Sequence, residues 1–167
     1  GNMAHESNEL MLLIDTNNRL DLNLMKILGY TEDDIISFDD ILNKEFKIVL
    51  NNELYEKMGN IFIMNNDFET MYNNDNTITL KIVGILRGKE DNTFAKYSGT
   101  GLCYKEALMD LVIDKNNNSD IVKSLKDADY NVLTGEKIDL STEEGNETKN
   151  TLLTYLGAES APYLIQI

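Results

Sequence analysis

The sequence has few of the residues from which most active sites and metal sites are built. Its 167 residues include one histidine, one cysteine and one proline, and no tryptophan. A lone cysteine, Cys103, excludes an internal disulfide and a site with several thiolates. The single histidine, His5, lies in the polar N-terminal stretch, so a Ser-His or Cys-His pair is excluded from the remainder of the chain.

Motifs that carry chemistry are also missing. Residues 133–137 lack the glycine spacing of a phosphate-binding loop, and residues 97–101 lack the first glycine of a nucleophile elbow. Residues 114–120 have oxygen ligands at alternating positions, but Ser119 replaces the turn glycine of a calcium loop and Leu125 its bidentate Glu. We interpret this segment as a helix–turn–helix junction with an N-cap. We therefore predict no catalytic, cofactor-binding or metal-binding residues and no cofactor, and substrate-binding residues stay unassigned.

Basic residues are scarce relative to acidic ones. The chain has 15 Lys and Arg against 29 Asp and Glu, for a formal net charge of -14. Such a surface repels phosphate backbones, so we predict no nucleic-acid partner. Cationic peptides are electrostatically compatible partners, although solubility is the favoured explanation of the acidity. Hydrophobic residues make up 42% of the chain, which is typical of a globular protein.

No apolar run approaches the ~20 residues of a membrane-spanning helix, and no signal peptide is visible. The chain opens with Gly1-Asn2 instead of Met. We interpret residues 1–8 as a tag remnant with a frayed N-terminus. The chain closes on an apolar, strand-like run over residues 163–167, so we expect it to be a piece of a longer protein.

Hydrophobic periodicity predicts an α+β protein, because strands and helices alternate without a strict βαβ rhythm. Strands are predicted over residues 10–14, 46–50, 61–64, 77–87 and 131–133. A helix is predicted over residues 22–28, capped by Asp21 and ended by Gly29, and another over residues 53–58, ended by Gly59. Helices are also predicted after a capping-box pair, Ser141 and Glu144, and with apolar stripes over residues 105–115 (Ala107, Leu108, Leu111, Val112) and 119–128 (Ile121, Val122, Leu125, Ala128). Residues 31–42 are ambiguous, although Thr31 and Asp34 have capping-box spacing. In the longest strand, Leu80 and Ile82 are predicted to be buried, and Gly84 to let another backbone or an aromatic ring approach closely.

Three blocks of sequence point to a family. The first covers residues 38–47 and continues to Asn51-Asn52 and Tyr55. The second covers residues 80–87, and the third lies between Tyr104 and Gly135 and includes Asn117-Asn118-Ser119. With Leu156-Gly157 and Pro162, their order and spacing resemble the large extracellular domain of FtsX/MacB-like ABC-transporter permeases from Gram-positive bacteria. The resemblance spans the chain from about residue 10 to the end.

The resemblance implies a fold like the MacB periplasmic domain, in which helices cover a mixed sheet and a β-rich lobe, about residues 46–87, projects from it. Residues 9–167 would form one extracellular, non-enzymatic domain at the cell membrane, between two transmembrane helices. Its implied partners are those helices, a cytoplasmic ABC ATPase and a second permease copy. A peptide, a lipid or a cell-wall protein is a candidate partner outside the cell.

The alternative is a free-standing exported binding or adhesion module, such as a lipoprotein. An insertion between two membrane helices must return both ends of the domain to one membrane surface. The permease interpretation therefore predicts that the strand near Leu10 and the strand near Leu164 are neighbours in one sheet.

Overall fold

A computed structural model describes residues 1–91, 99–159 and 162–166. This part of the chain is mixed α and β, which confirms the predicted class. The strands are β1 (Glu9–Ile14), β2 (Glu45–Val49), β3 (Tyr55–Met58), β4 (Ile61–Met64), β5 (Ile78–Arg87), β6 (Gly101–Cys103) and β7 (Tyr163–Ile165). The helices are α1 (Leu22–Ile27), α2 (Phe38–Ile41), α3 (Asn51–Leu54), α4 (Phe68–Tyr72), α5 (Glu106–Asn117), α6 (Asp120–Asp127) and α7 (Glu143–Leu153), and α7 continues into a π-helix, Thr154–Ala158. None of these helices is long and apolar enough to cross a membrane.

The chain forms two compact units. The first contains Gly1–Phe46, Thr79–Leu108 and Gln166, and the second contains Lys47–Ile78 and Met109–Ile165. The residues of the predicted lobe, 46–87, are thus divided between the two units.

The first unit is built on a mixed sheet. Strand β1 pairs with β5 in parallel, with Leu10 opposite Ile82, and with β6 in antiparallel orientation, with Leu12 opposite Leu102. Just before β2, the backbone N–H of Asn43 donates to the carbonyl of Ile82 at 2.8 Å. Leu12 and Ile82 are both fully buried. A continuous apolar run at β1 is expected for a strand that is covered on both faces.

Gly84 lies where two backbones approach each other closely, as predicted from its place in the strand. A Cβ atom at this position would overlap the carbonyl oxygen of Asn2 and the side chain of Met11. The backbone N–H of Asn2 donates to the carbonyl of the neighbouring Val83 at 2.8 Å. Only glycine leaves room for this contact.

The capping residues predicted for the first helix are confirmed. Asp21 is the N-cap of α1 and accepts from the backbone N–H of Leu24, and Gly29 after the helix has a φ of 84°. The capping box of α2 is formed by Ser37 and Asp40. Thr31 and Asp34, which have the same spacing, close a turn instead of opening a helix.

The second unit has its own apolar core. The stripe predicted for α6 is confirmed, with Ile121, Val122 and Leu125 all at most 1% exposed. These side chains form one cluster with Phe62 of β4 and with Val132. Burial of one such side chain contributes roughly 1.5–3 kcal/mol.

The helix predicted over residues 53–58 is wrong. A four-residue helix, α3, ends at Leu54, and the chain continues as β3, which pairs with β4 in a hairpin with Tyr55 opposite Met64. Gly59, predicted to end a helix, has a φ of 61° and belongs to the two-residue connection of the hairpin. The short apolar pattern of this segment fits a helix or a strand, so pairing with β4 determined that it forms a strand.

Three finer predictions also need correction. Residues 131–133 form a turn rather than a strand, although the carbonyl of Val132 accepts from the N–H of Phe62. Helix α7 is capped by Thr142, because the hydroxyl of Ser141 donates to Asp139. On α5, Leu108 and Val112 are buried as predicted, whereas Ala107 and Leu111 are exposed.

Strands β1 and β7 are not neighbours, so that prediction is wrong. Strand β7 pairs with β2, with Lys47 opposite Ile165. Strand β1 has β5 on one side and β6 on the other, so no free edge remains for β7.

The register of β5 can be tested by Ile82→Ala. Ile82 is fully buried in the core, so the change should lower the free energy of unfolding by about 2–5 kcal/mol. Lys81→Ala is the matched control on the same strand, where the side chain is partly exposed, and should cost less than about 1 kcal/mol. Urea unfolding measures both, and equal effects of the two changes would contradict the assigned faces.

Candidate functional site

The second unit contains a buried polar cluster centred on Asn51, at the start of α3. The backbone N–H of Asn51 donates to Oδ1 of Asn116 at 2.9 Å. Its side-chain Nδ2 donates to the Ser119 hydroxyl at 3.2 Å and to the Leu156 carbonyl at 2.7 Å. Asn51, Asn116 and Ser119 are each at most 5% exposed. One side-chain amide thus joins three segments of the chain.

The junction between α5 and α6 is the helix–turn–helix predicted over residues 114–120. Ser119 is the N-cap of α6, but its hydroxyl donates to the carbonyl of Asn116 at 2.5 Å and makes no capping bond. Asn52 supplies that cap instead, since its Oδ1 accepts from the backbone N–H of Asp120 at 2.9 Å. The sequence thus identified the junction, but not the second segment that completes it.

The π-helix after α7 brings a carbonyl to this cluster. Its wide turn is closed by the N–H of Glu159, which donates to the carbonyl of Thr154 at 2.8 Å. The carbonyl of Leu156 accepts from Asn51, and a Cβ atom at Gly157 would overlap Oδ1 of Asn117. Single π-helical turns are rare and recur at sites under functional constraint.

Several exposed carboxylates have shifted pKa values, and each shift has a structural cause. Hydrogen bonds from side-chain hydroxyls lower the pKa of Asp21, Asp40, Asp67 and Asp139, and the backbone N–H of Thr31 lowers that of Asp34. All five close a helix N-terminus or a turn. They perform the capping for which Asp is favoured.

Tyr55 is the one tyrosine in the described residues with a clearly shifted pKa. Burial raises its pKa to about 12, and the nearby Tyr155, with which it shares a hydrogen bond, adds to the shift. The phenol therefore stays protonated to a higher pH than an exposed tyrosine would.

His5 and Cys103 belong to the first unit, whereas this cluster belongs to the second. Cys103 is half-buried in β6, and His5 is exposed. Of the segment compared with a nucleophile elbow, Tyr97 and Ser98 lie outside the described residues. No group of three or more His, Cys, Asp or Glu side chains that could hold a metal ion occurs in the described ranges.

Each unit contains a cleft. In the first, a cavity of about 360 Å³ is lined mainly by apolar side chains, among them Met11, Phe38 and Ile85, with Arg87 among the polar lining residues. In the second, a cleft of about 480 Å³ lies beside α3 and includes Glu53 and Asp75. The second cleft has the more specific chemistry, because it combines carboxylates with apolar walls.

The Asn51 cluster predicts a large effect of Asn51→Ala. The change would leave the Leu156 carbonyl and the Ser119 hydroxyl without a donor in a buried site, at about 1–3 kcal/mol for each group. The matched control, Asn52→Ala, removes one exposed cap and should cost about 1 kcal/mol. Thermal and urea unfolding measure both, and a smaller loss for Asn51→Ala than for Asn52→Ala would contradict the central role of Asn51.

The capping carboxylates predict a dependence of stability on pH. The pKa of Asp40 is lowered in the folded state, so its ionised form stabilises the fold above its unfolded pKa of about 3.9. This contribution is lost as the pH falls through the folded pKa. Asp40→Asn should therefore be less stable than the parent at neutral pH, and the difference should shrink in acid. Asp39→Asn removes the same charge from the same turn without the cap, and an identical pH profile for it would rule out this explanation.

No family model, curated protein or solved structure matches the chain. Its function is therefore inferred from its own residues and contacts.

Proposed function

We propose that this chain is a non-catalytic extracellular domain of an ABC-transporter permease of the FtsX/MacB-like kind, with a fold of the MacB periplasmic-domain type. The observation that carries the proposal is the Asn51 cluster. The residues behind the resemblance include Asn51-Asn52 after the first block, Asn117-Asn118-Ser119 in the third block, and the separate pair Leu156-Gly157. Asn51 bonds to Ser119 and to Leu156, which is 105 positions away in the sequence.

Contacts of this kind explain why such blocks would occur together. A buried amide needs its partners, and these partners lie in separate parts of the pattern, so the three parts constrain one another. Gly157 belongs to the same set, because only glycine fits against Asn117. Three parts of the pattern behind the resemblance therefore meet in one buried contact set, whereas the second block, residues 80–87, belongs to the first unit.

The non-catalytic role is supported by what the shifted carboxylates do. Each of the five aspartates with a lowered pKa is used to cap a helix or a turn, and all five are exposed. A carboxylate that acts as a general acid or base would need a pKa raised toward neutral pH. The pKa values of these five aspartates are lowered instead. In the proposed role, a cytoplasmic ATPase moves the transmembrane helices, and these move the domain, which grips or senses its partner.

Surface labelling of the full-length gene product tests this proposal. Cys103→Ser removes the one thiol of this chain, and Asn150→Cys adds a new thiol at an exposed position of α7. We expect a membrane-impermeant maleimide to label this variant fully in intact Gram-positive cells, and the protein to stay in the washed membrane fraction and co-purify with an ABC ATPase. The Cys103→Ser protein without the new thiol is the control for background labelling.

Two other outcomes of the labelling experiment would contradict the proposal in different ways. Labelling only after cell lysis would place the domain inside the cell and refute the proposal. Labelling in intact cells of a product that carries no transmembrane segment and no ATPase would favour the free-standing exported module.

A further inference from the structure

The hairpin of β3 and β4 has one open edge. These two strands form a sheet of their own, and in the described ranges no third strand pairs with β3. Glu56, Lys57 and Met58 are all exposed. An unpaired edge of this kind presents backbone N–H and C=O groups to solvent, and an extended chain can pair with them.

The register of the hairpin shows which backbone groups this edge offers. The N–H of Phe62 donates to the carbonyl of Val132 at 2.7 Å, so it points away from β3. Lys57 is opposite Phe62, and in a pair that is not hydrogen-bonded both residues direct their N–H and C=O groups outward. The same direction holds two residues earlier, where the N–H of Tyr55 donates to the carbonyl of Asn51 rather than across the hairpin. Lys57 therefore directs one donor and one acceptor to the open edge.

The side chains beside the open edge alternate in character. Glu56 and Met58 lie on the face of the hairpin away from the buried Phe62, together with Ile63, which is opposite Glu56. Met58 is 56% exposed and Ile63 is 39% exposed, so this face carries apolar surface next to a negative charge. Lys57 lies on the other face, where its Nζ is 5.9 Å from the centre of the Phe62 ring. A strand added beside β3 would thus meet an apolar side chain, a positive charge and a negative charge in that order.

A second copy of this chain does not suit the edge. Two β3 strands can pair in antiparallel orientation only between residues whose backbone groups point toward each other. The central registers place Lys57 opposite its counterpart in the other copy, or Glu56 opposite its counterpart, and like charges directly opposite each other are destabilising. The formal net charge of -14 adds repulsion between whole copies. The charges on this edge therefore select a different chain.

We propose that the open edge of β3 binds an extended peptide segment of another protein, which adds to the hairpin as an antiparallel third strand. Antiparallel pairing is expected because it is the more stable of the two orientations per residue. The complementary segment has an apolar residue opposite Met58, an acidic residue opposite Lys57 and a basic residue opposite Glu56. Its acidic residue exchanges both of its backbone hydrogen bonds with Lys57. The inference does not depend on the permease proposal, because it uses only the contacts and charges of the hairpin.

NMR titration of the complete 167-residue chain with two blocked peptides tests the proposal. The charge-matched peptide is Thr-Val-Glu-Lys-Val-Thr, and the exchanged peptide, Thr-Val-Lys-Glu-Val-Thr, has the same composition. We expect the charge-matched peptide to shift the amide signal of Lys57 and to bind about tenfold more tightly, because two cross-strand pairs are attractive in it and repulsive in the exchanged peptide. N-methylation of its glutamate removes the N–H that donates to Lys57 and should weaken binding about tenfold. N-methylation of its lysine, whose N–H points away from β3, should change the affinity less than about twofold.

Variants of Lys57 assign the binding to this edge. Lys57→Glu should weaken binding of the charge-matched peptide about fivefold and strengthen that of the exchanged peptide, a gain that an unfolded variant could not show. Lys26→Glu, at an exposed position of α1 in the first unit, makes the same change of net charge and should alter neither affinity more than about twofold. Lys57→Pro removes the outward N–H without breaking a hydrogen bond to β4, and it should abolish binding of both peptides.

Several results would overturn the proposal. These are an unchanged Lys57 signal with the charge-matched peptide, equal affinities for the two peptides, or full affinity of the peptide that carries N-methylglutamate. A shift of the Lys57 signal with protein concentration alone would replace the peptide site with self-association through this edge. None of these readouts depends on membrane location, so a failure here is distinguishable from a failure of the permease proposal.

Discussion

The side-chain amide of Asn51 joins three parts of the second unit that are distant in the sequence. It donates to the hydroxyl at the α5–α6 junction and to a carbonyl of the π-helix, while its own backbone N–H is satisfied by Asn116. A buried amide with its partners in place is worth little more than an apolar side chain, but a missing partner is costly. This asymmetry makes the contact selective, because other arrangements of these segments leave polar groups unbonded.

The same short helix connects the buried cluster to the cleft. Asn51 and Glu53 are both residues of the four-residue α3, and Asn52 between them caps α6. A cleft residue that is two positions from a rigid buried contact is well positioned, since binding sites need a fixed backbone behind them.

Prediction from the sequence succeeded where the signal was local. Strand β5 was recognised from its alternation, and Asp21 and Gly29 marked the two ends of α1 as their chemistry requires. Prediction failed at residues 55–58, where the same apolar spacing suits a turn of helix or a strand. The partner strand β4, with Ile61 opposite Met58, decided between them.

The Asn51 cluster could not be predicted from the sequence for a similar reason. Asparagine is abundant in this chain, so nothing local distinguishes the buried Asn51 and Asn116 from their exposed neighbours Asn52 and Asn118. The sequence by itself determined the α+β class, the main strands and helices, and the acidic surface, because these follow from periodicity, capping chemistry and charge. Only the tertiary structure decided which polar groups are buried together and which strands pair, because both depend on contacts between residues far apart in the chain.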